Sequence, residues 1–416
     1  MRGLWLMDEP GAPQPTARYS RKREALLDAA TGLLNIHGVR GLTLARAAAA
    51  VGLSTTSVTY YFPRKDGLAA ACMMRGLEEL REMARLAVAE DQPARRIARL
   101  VELYVDRERR AASGEAPPLA RFSDIRALRE PYRGQVTLAY GEIFRIARGL
   151  FEAPELEALS RGRRTARTHM LMAQILWSGT WLSHYAPGDY GRIAQAMTDM
   201  LVGGLAAPGI LWPQPGAQDL AGGAPPEDVD AGREAFLLAA TRLINTLGYR
   251  GASVELISAE LSVTKGSFYH HHGAKDELVV DCFLRSFAIM NALLDRARET
   301  PGDSWSRLCA VAASLCAFQL SERGPLLRAS ALSALDPAIS SQMLQKSEAL
   351  CERFARLVAG GIAEGLIRPV DPEIAARLIE ATLNAGAELG FWVPDIRPQA
   401  APAIFARPLL MGVLSP

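Results

Sequence analysis

The sequence predicts an all-α protein built as two similar halves. Three observations predict it. Apolar residues recur at helical spacing along nearly the whole chain, a 46-residue stretch recurs at an offset of 210, and the segment between the halves is rich in Pro, Gly and Ala. At 416 residues the chain is longer than one core ordinarily supports. A repeat of 210 residues is too long for a solenoid unit and fits a duplicated pair of domains.

The repeat pairs residues 23–68 with residues 233–278 without a gap, and 17 of the 46 pairs are identical. Asn35 matches Asn245, Gly38 matches Gly248, Ser57 matches Ser267, Lys65 matches Lys275, and Cys72 and Cys282 fall at the same offset. In the first copy Ser20 can cap a helix whose stripe is Leu26, Ala29, Ala30, Leu33 and Leu34. Gly38 stops it and Gly41 allows a turn. Thr43 caps a short, Ala-rich second helix from Leu44 to Val51. Gly52 and Leu53 form a tight connection, and Ser54 caps a third helix reaching about Tyr61. Pro63 then opens a fourth near Arg64. Ser253 and Thr264 repeat the two caps in the second copy.

Two short helices joined through a glycine, the second with a small polar cap, form a helix-turn-helix pattern. Its second helix offers Thr55, Thr56, Ser57, Thr59 and Tyr60 in one copy, and Lys265, Gly266, Ser267, Tyr269 and His270 in the other. Short hydroxyl and planar side chains near a helix N-terminus suit the donor and acceptor edges of the DNA major groove. Lys65 and Lys275, just beyond, are expected to meet phosphate. His270, His271 and His272 replace Tyr60, Tyr61 and Phe62, so the position calls for flat rings. Three consecutive residues do not converge on one ion, and no metal site is expected.

Both segments resemble the DNA-binding domain of the TetR family of bacterial transcriptional regulators. The residues that carry the resemblance are Ala29, Ala30, Gly38, Thr43, Gly52, Leu53, Ser54, Tyr61, Phe62, Lys65 and Leu68. In the second copy they are Ala239, Ala240, Gly248, Tyr249, Ser253, Val263, Thr264, Lys265, Gly266, Tyr269, His271, Lys275 and Leu278. Thr59 stands where the family usually has Tyr, and His272 where it usually has Phe. The resemblance implies that the DNA contacts fall among Thr43, Ser54, Thr55, Thr56, Ser57, Thr59, Tyr60, Tyr61 and Lys65. In the second copy it places them among Ser253, Thr264, Lys265, Gly266, Ser267, Tyr269, His270, His271 and Lys275.

The chain is then expected to divide into a flexible tail (1–19), a first helix-turn-helix domain (20–68) and a helical domain (69–206). A linker (207–231), a second helix-turn-helix domain (232–278) and a second helical domain (279–416) follow. The resemblance gives the helical domains to effector binding and dimerisation. Tyr140, Phe144, His169, Trp177 and Trp181 are candidates to line an apolar effector pocket, or else belong to the core or a pairing face. The linker could stretch roughly 80 Å, enough to return the second head to the same DNA face.

The formal net charge is only +2, so any signal for nucleic acid is local. Residues 18–68 carry about +5, whereas residues 231–278 balance to zero. Five cysteines form no CxxC and read as reduced, buried thiols. The beginning has acids and prolines where a signal peptide would have an apolar run, and no stretch of 18 apolar residues exists; a cytoplasmic, nucleoid-associated protein is expected. No GxSxG, Walker loop, HExxH or spaced acid pair supports an enzyme, and no cofactor is expected. The expected partners are a double-stranded DNA operator and a small-molecule effector, with no membrane. The halves are expected to pair within one chain. The alternatives are a homodimer of tandem chains pairing like halves, and a regulator whose first head alone binds DNA while the second half is a ligand or partner platform.

Overall fold

The computed structural model describes residues 17–122, 125–213, 231–264, 266 and 274–415. Helices dominate them, and the described residues contain no strand, only an isolated antiparallel bridge between Ala206 and Ile367. The first half runs through α1 (Ala17–Gly41), α2 (Leu44–Ala50), α3 (Thr55–Tyr61), α4 (Lys65–Val88), α5 (Pro93–Ala112), α6 (Tyr132–Arg148), α7 (Arg161–Trp181) and α8 (Tyr190–Gly203). The second runs through α9 (Ala231–Gly251), α10 (Val254–Glu260), α11 (Lys275–Glu299), α12 (Ser304–Gln319), α13 (Pro337–Ala363), α14 (Pro372–Gly386), α15 (Leu389–Trp392) and α16 (Arg407–Met411).

Most of the sequence signals act where expected, but Ser20 is no cap: α1 already begins at Ala17, so Ser20 lies within its first turn. Gly38 and Gly248 take φ of 61° and 74°, breaking α1 and α9 at the same place in each copy. Thr43, Ser54 and Ser253 each accept a backbone N–H three residues on, capping α2, α3 and α10. Beyond Pro117 and Pro118 a single 3-10 turn, Ile125–Ala127, precedes α6.

Identical residues make identical contacts in the two copies. Asn35 Nδ2 donates to Leu119 O (2.8 Å) while its Oδ1 accepts from Arg121 N (2.9 Å). Asn245 does the same with Leu326 O (2.8 Å) and Arg328 N (3.0 Å). One amide thus satisfies two groups of an otherwise unpaired loop and fixes each head to its own helical domain. The Cys72 thiol donates to Leu27 O at 3.7 Å and the Cys282 thiol to Leu237 O at 3.5 Å. Arg75 pairs with Glu24 and Asp28, and Arg285 with Glu234.

The halves share one core. A continuous buried apolar cluster extends from Leu26 to Val413, while the second head keeps a smaller cluster of its own around Phe236, Ile257 and Cys282. α7 and α8 pack against α14, and α7 also packs on Pro402–Ala406, which leads into α16. Across this layer Gln174 Nε2 donates to Thr382 Oγ1 (2.9 Å), and His169 Nε2 lies 2.8 Å from Ala385 O. Arg167, 2% exposed, donates to Val413 O (2.8 Å) and Ser415 O (2.6 Å) beyond the end of α16. Gly204 and Gly412, at φ 72° and 95°, let the two backbones cross. A Cβ on Gly204 would sit 2.3 Å from the Met411 carbonyl carbon, and one on Gly412 would sit 2.4 Å from Val202 O. That crossing brings Leu205 N to Leu410 O (2.7 Å), Val413 N to Leu201 O (2.8 Å) and Ala207 N to Leu366 O (2.9 Å).

Candidate nucleic-acid interface and ligand cavity

α3 stands on the head by its one buried residue, Val58, and turns Thr55, Thr56, Thr59 and Tyr60 outward. Tyr60 is 77% exposed, which for a large aromatic ring marks a surface built to be covered. Thr43 is exposed, with its Oγ1 accepting Arg46 N (3.1 Å). Ser54 Oγ accepts Ser57 N (3.1 Å) and lies 2.8 Å from Ser57 Oγ, so these two hydroxyls chiefly hold the helix start. Thr59 Oγ1 donates back to Thr55 O (2.9 Å). Tyr61 stacks with Tyr19 of α1 at 4.7 Å between ring centroids, and Tyr19 meets Tyr60 edge-on at 6.1 Å. Tyr19 escapes sequence reasoning because it precedes the repeat and has no counterpart in the second copy.

The two lysines do something the sequence did not suggest. Lys65 Nζ donates to Val39 O (2.9 Å) and Arg40 O (3.0 Å), and Lys275 Nζ donates to Tyr249 O. Each ammonium neutralises the carbonyl end of the helix before the turn, bracing α4 or α11 against it. Burial pulls the Lys275 ammonium below its usual range, and its Nζ lies 4.1 Å above the Tyr249 ring. Arg40 of the first head approaches the same ring at 5.6 Å, so the heads meet there.

In the second head Ser253 caps α10 through Leu256 N (3.2 Å), and Thr264 and Gly266 are exposed. Lys265, Ser267, Tyr269, His270 and His271 lie outside the described residues. The tight turn before them is kept: Ser262 takes φ 55° where Gly52 takes 64°. Glu255 and Glu260 are exposed.

The five aromatic candidates for an effector pocket separate. Phe144 stacks on Trp392 at 3.8 Å, with Tyr140 6.3 Å and His169 5.6 Å from that ring, in the layer between the halves. Burial lowers the His169 imidazole and keeps it neutral near pH 7. Trp181 is buried 6.1 Å from Tyr185. Trp177 lines a cavity, and that cavity belongs to the second half. It holds about 680 Å³ between atoms, open solvent at its mouth included. Phe283, Phe287 and Met290 of α11, Leu350 and Phe354 of α13, and Trp177 of α7 form apolar walls. Ser347, Glu380 and Asn384 supply polar groups, and Ser347 Oγ donates to Glu380. α11 also carries Leu278 and Cys282 of the second head's core, so one helix joins cavity and head.

The first helix-turn-helix segment is braced on its helical domain, and the described residues of the second keep its first helices, cap and turn. The family profile for bacterial regulatory proteins of the tetR family matches residues 26–72 and 236–282. The two matches lie 210 residues apart, the offset of the repeat, so this TetR-type segment occurs twice in the chain. No curated protein sequence matches the chain. Among solved structures it is similar to a TetR-family regulator from Bordetella parapertussis 12822 (18% identity, 44% of this chain and 94% of that one, TM-score 0.37). It is also similar to the ketosteroid transcriptional regulator KstR2 of Mycobacterium tuberculosis (20%, 44% and 94%, TM-score 0.37). A third likeness is to AibR in complex with isovaleryl coenzyme A and operator DNA (17%, 43% and 97%, TM-score 0.35). Among the described residues no helix is long and apolar enough to cross a membrane, and no cluster of three metal-ligating side chains occurs.

Proposed function

We propose that the chain is a ligand-responsive repressor whose halves pair with each other and whose unlike heads read an unsymmetrical operator. The observation that carries this reading is the layer of α7, α8, α14 and residues 402–413. It buries Arg167, His169 and Gln174 against the other half and leaves the heads side by side. A core shared in this way does for one chain what a dimer interface does for two. At the matched recognition positions Thr55 of one head corresponds to Lys265 of the other, and Thr56 to Gly266. Two different readers on one body select two different half-sites, about a helical turn or slightly more apart. The cavity beside α11 supplies the ligand response, because a ligand that displaces α11 displaces the second head with it. Repression, rather than activation, rests on the resemblance to the family.

Selection of sites from random DNA with the full chain, with complexes sized by light scattering, tests the reading. One chain on an unsymmetrical two-part site is expected. Two chains on a palindrome would overturn it.

The charge imbalance between heads favours one further reading, in which the first head alone holds DNA. Under it Tyr269→Ala leaves affinity and footprint intact while Tyr60→Ala weakens binding. Loss of half the footprint with Tyr269→Ala removes it.

A further inference from the structure

The two halves are not equal around the cavity. Ser286 on α11 stands at the offset of Gly76 on α4, and the matched asparagine clamps put Ala329 in register with Phe122. In the first half the Phe122 ring lies against Gly76, so close that a Cβ there would be 3.1 Å from its Cζ. In the second half Ala329 leaves that room empty, and Ser286 and Ala329 both line the cavity. The same fold is filled on one side and hollow on the other.

The polar end of the hollow has a definite sign. Glu380 is the one charged residue in its lining, and its side chain is 18% accessible. The nearest guanidinium is that of Arg377, 3.9 Å away, and it is already held at both nitrogens by Glu348. Two carboxylates therefore share one cation, leaving an excess of one negative charge beside walls that are otherwise neutral. A carboxylate shut away from water calls for a compensating positive charge. Burial first, and the Glu348 charge second, raise the Glu380 carboxyl against the pull of Ser347 and Arg377, so a cation entering the cavity would favour its ionised form. Aromatic faces at Phe283, Phe287, Phe354 and Trp177 suit the same kind of guest.

Resting on the ligand-responsive reading above, we propose that each chain has one effector site here, for an apolar molecule bearing a positively charged nitrogen directed at Glu380. Ligand contact with Trp177, which comes from the first half, then makes both halves sense occupancy.

Two probes of the same shape and different charge test this: benzyltrimethylammonium and neopentylbenzene, with phenylacetate as the anion. Binding to the full chain is read by titration calorimetry and by quenching of tryptophan fluorescence, with Trp177→Phe as the control. The expected result is one benzyltrimethylammonium per chain, bound at least tenfold more tightly than neopentylbenzene, with phenylacetate weaker still. Glu380→Gln should remove that preference while leaving neopentylbenzene binding in place, which also shows that the variant is folded. Equal binding of cation and neutral probe, or a preference untouched by Glu380→Gln, would overturn the ligand class while leaving a ligand site. Two equivalents per chain would overturn the asymmetry. No binding of any probe at Trp177 would overturn the cavity as an effector site altogether.

Discussion

Replacing Glu388 with Gln tests the seam between the halves at one atom. Glu388 follows α14 in the second half and is largely but not fully buried, its side chain 18% exposed. Its Oε1 accepts from Arg126 of the first half and lies 2.7 Å from Arg328 of the second. Burial by itself would raise this carboxyl, but the Arg328 and Arg126 guanidiniums outweigh it and hold the group at about 2. Relative to its ordinary 4.5, the ionised form is favoured by about 3 kcal/mol. This agrees with the 3–5 kcal/mol, roughly, that breaking a buried ion pair costs. The sign follows from linkage: a depressed carboxyl stabilises the fold above its unfolded value near 4.5, and the contribution fades as pH falls towards 2. Glu388→Gln should therefore lower the stability of the chain by about 3 kcal/mol at pH 7, read from urea denaturation followed by circular dichroism. The gap between parent and variant should narrow between pH 4.5 and pH 3. Pairing the variant with Arg126→Met in a double-mutant cycle isolates the part that crosses the halves, expected at about 1–3 kcal/mol. A variant within about 0.5 kcal/mol of the parent at pH 7, or a gap that ignores pH, would refute the assignment of Glu388 as an ionised bridge.

Glu108 is the opposite case: burial raises its carboxyl to about 7 against the pull of Arg121 and Arg107, so the fold loses up to roughly 3 kcal/mol as pH rises from 4.5 through 7. Glu108→Gln should match the parent near pH 4 and melt above it at pH 8; the reverse order would contradict the assignment. Gly204→Ala should cost several kcal/mol, since the added methyl meets backbone at 2.3 Å, whereas Gly209→Ala, with φ 83° and open space around it, should cost only about 1–2 kcal/mol; thermal unfolding of the pair separates clash from φ. Phe122→Ala should cost about 3–4 kcal/mol and open the first half, so that calorimetry finds a second equivalent of neopentylbenzene; an unchanged stoichiometry in a folded variant would show that Phe122 is no plug. Ser262→Gly should relieve a left-handed Ser at the second head's turn and stabilise that head by up to about 1 kcal/mol, seen as slower hydrogen exchange in α10.

How much of this was legible in the sequence depended on whether the cause was local. Caps, glycine breaks and apolar stripes act within a few residues: α2, α3 and α10 start at their caps and α1 and α9 break at their glycines, whereas α1 starts three residues before Ser20. The identity of Asn35 and Asn245 was visible, but its meaning was not, because the partners Leu119 and Leu326 are more than eighty residues away. Lys65 and Lys275 stand where cations could meet phosphate, and only the placement of the preceding helix end shows their ammoniums on carbonyls. The aromatic residues of α6 and α7 have the composition of a pocket lining. Tyr140, Phe144 and His169 became the seam between halves because Trp392 and Phe405, from the far end of the chain, fill the space they face, while Trp177 does line a cavity. The cavity itself left no local trace: it exists because Ala329 and Ser286 replace bulk or contact that Phe122 and Gly76 supply on the other side.

Several residues that the copies keep brace the scaffold, and several that they change do not. Asn35 and Asn245, Cys72 and Cys282, Lys65 and Lys275, and Arg75 and Arg285 are kept, and all of them bind a head to its own helix or domain. Thr55 and Lys265, Thr56 and Gly266, and Phe122 and Ala329 differ; the first two pairs stand at the proposed recognition positions, and Ala329 lines the cavity. A homodimer cannot make that separation, because one sequence serves both subunits: a plug in one pocket is a plug in both, and a change of recognition helix changes both half-sites. Joining the halves removes the constraint while the scaffold residues still enforce the paired geometry. The seam then has to transmit what one side senses to a head on the other. Arg126, bonded across the seam to Glu388 and packed against Gly248 of the second head, is placed to do so. Its Cβ would lie 2.9 Å from any methyl at position 248, so movement of the Arg126 turn and of α9 is coupled by contact rather than by distance.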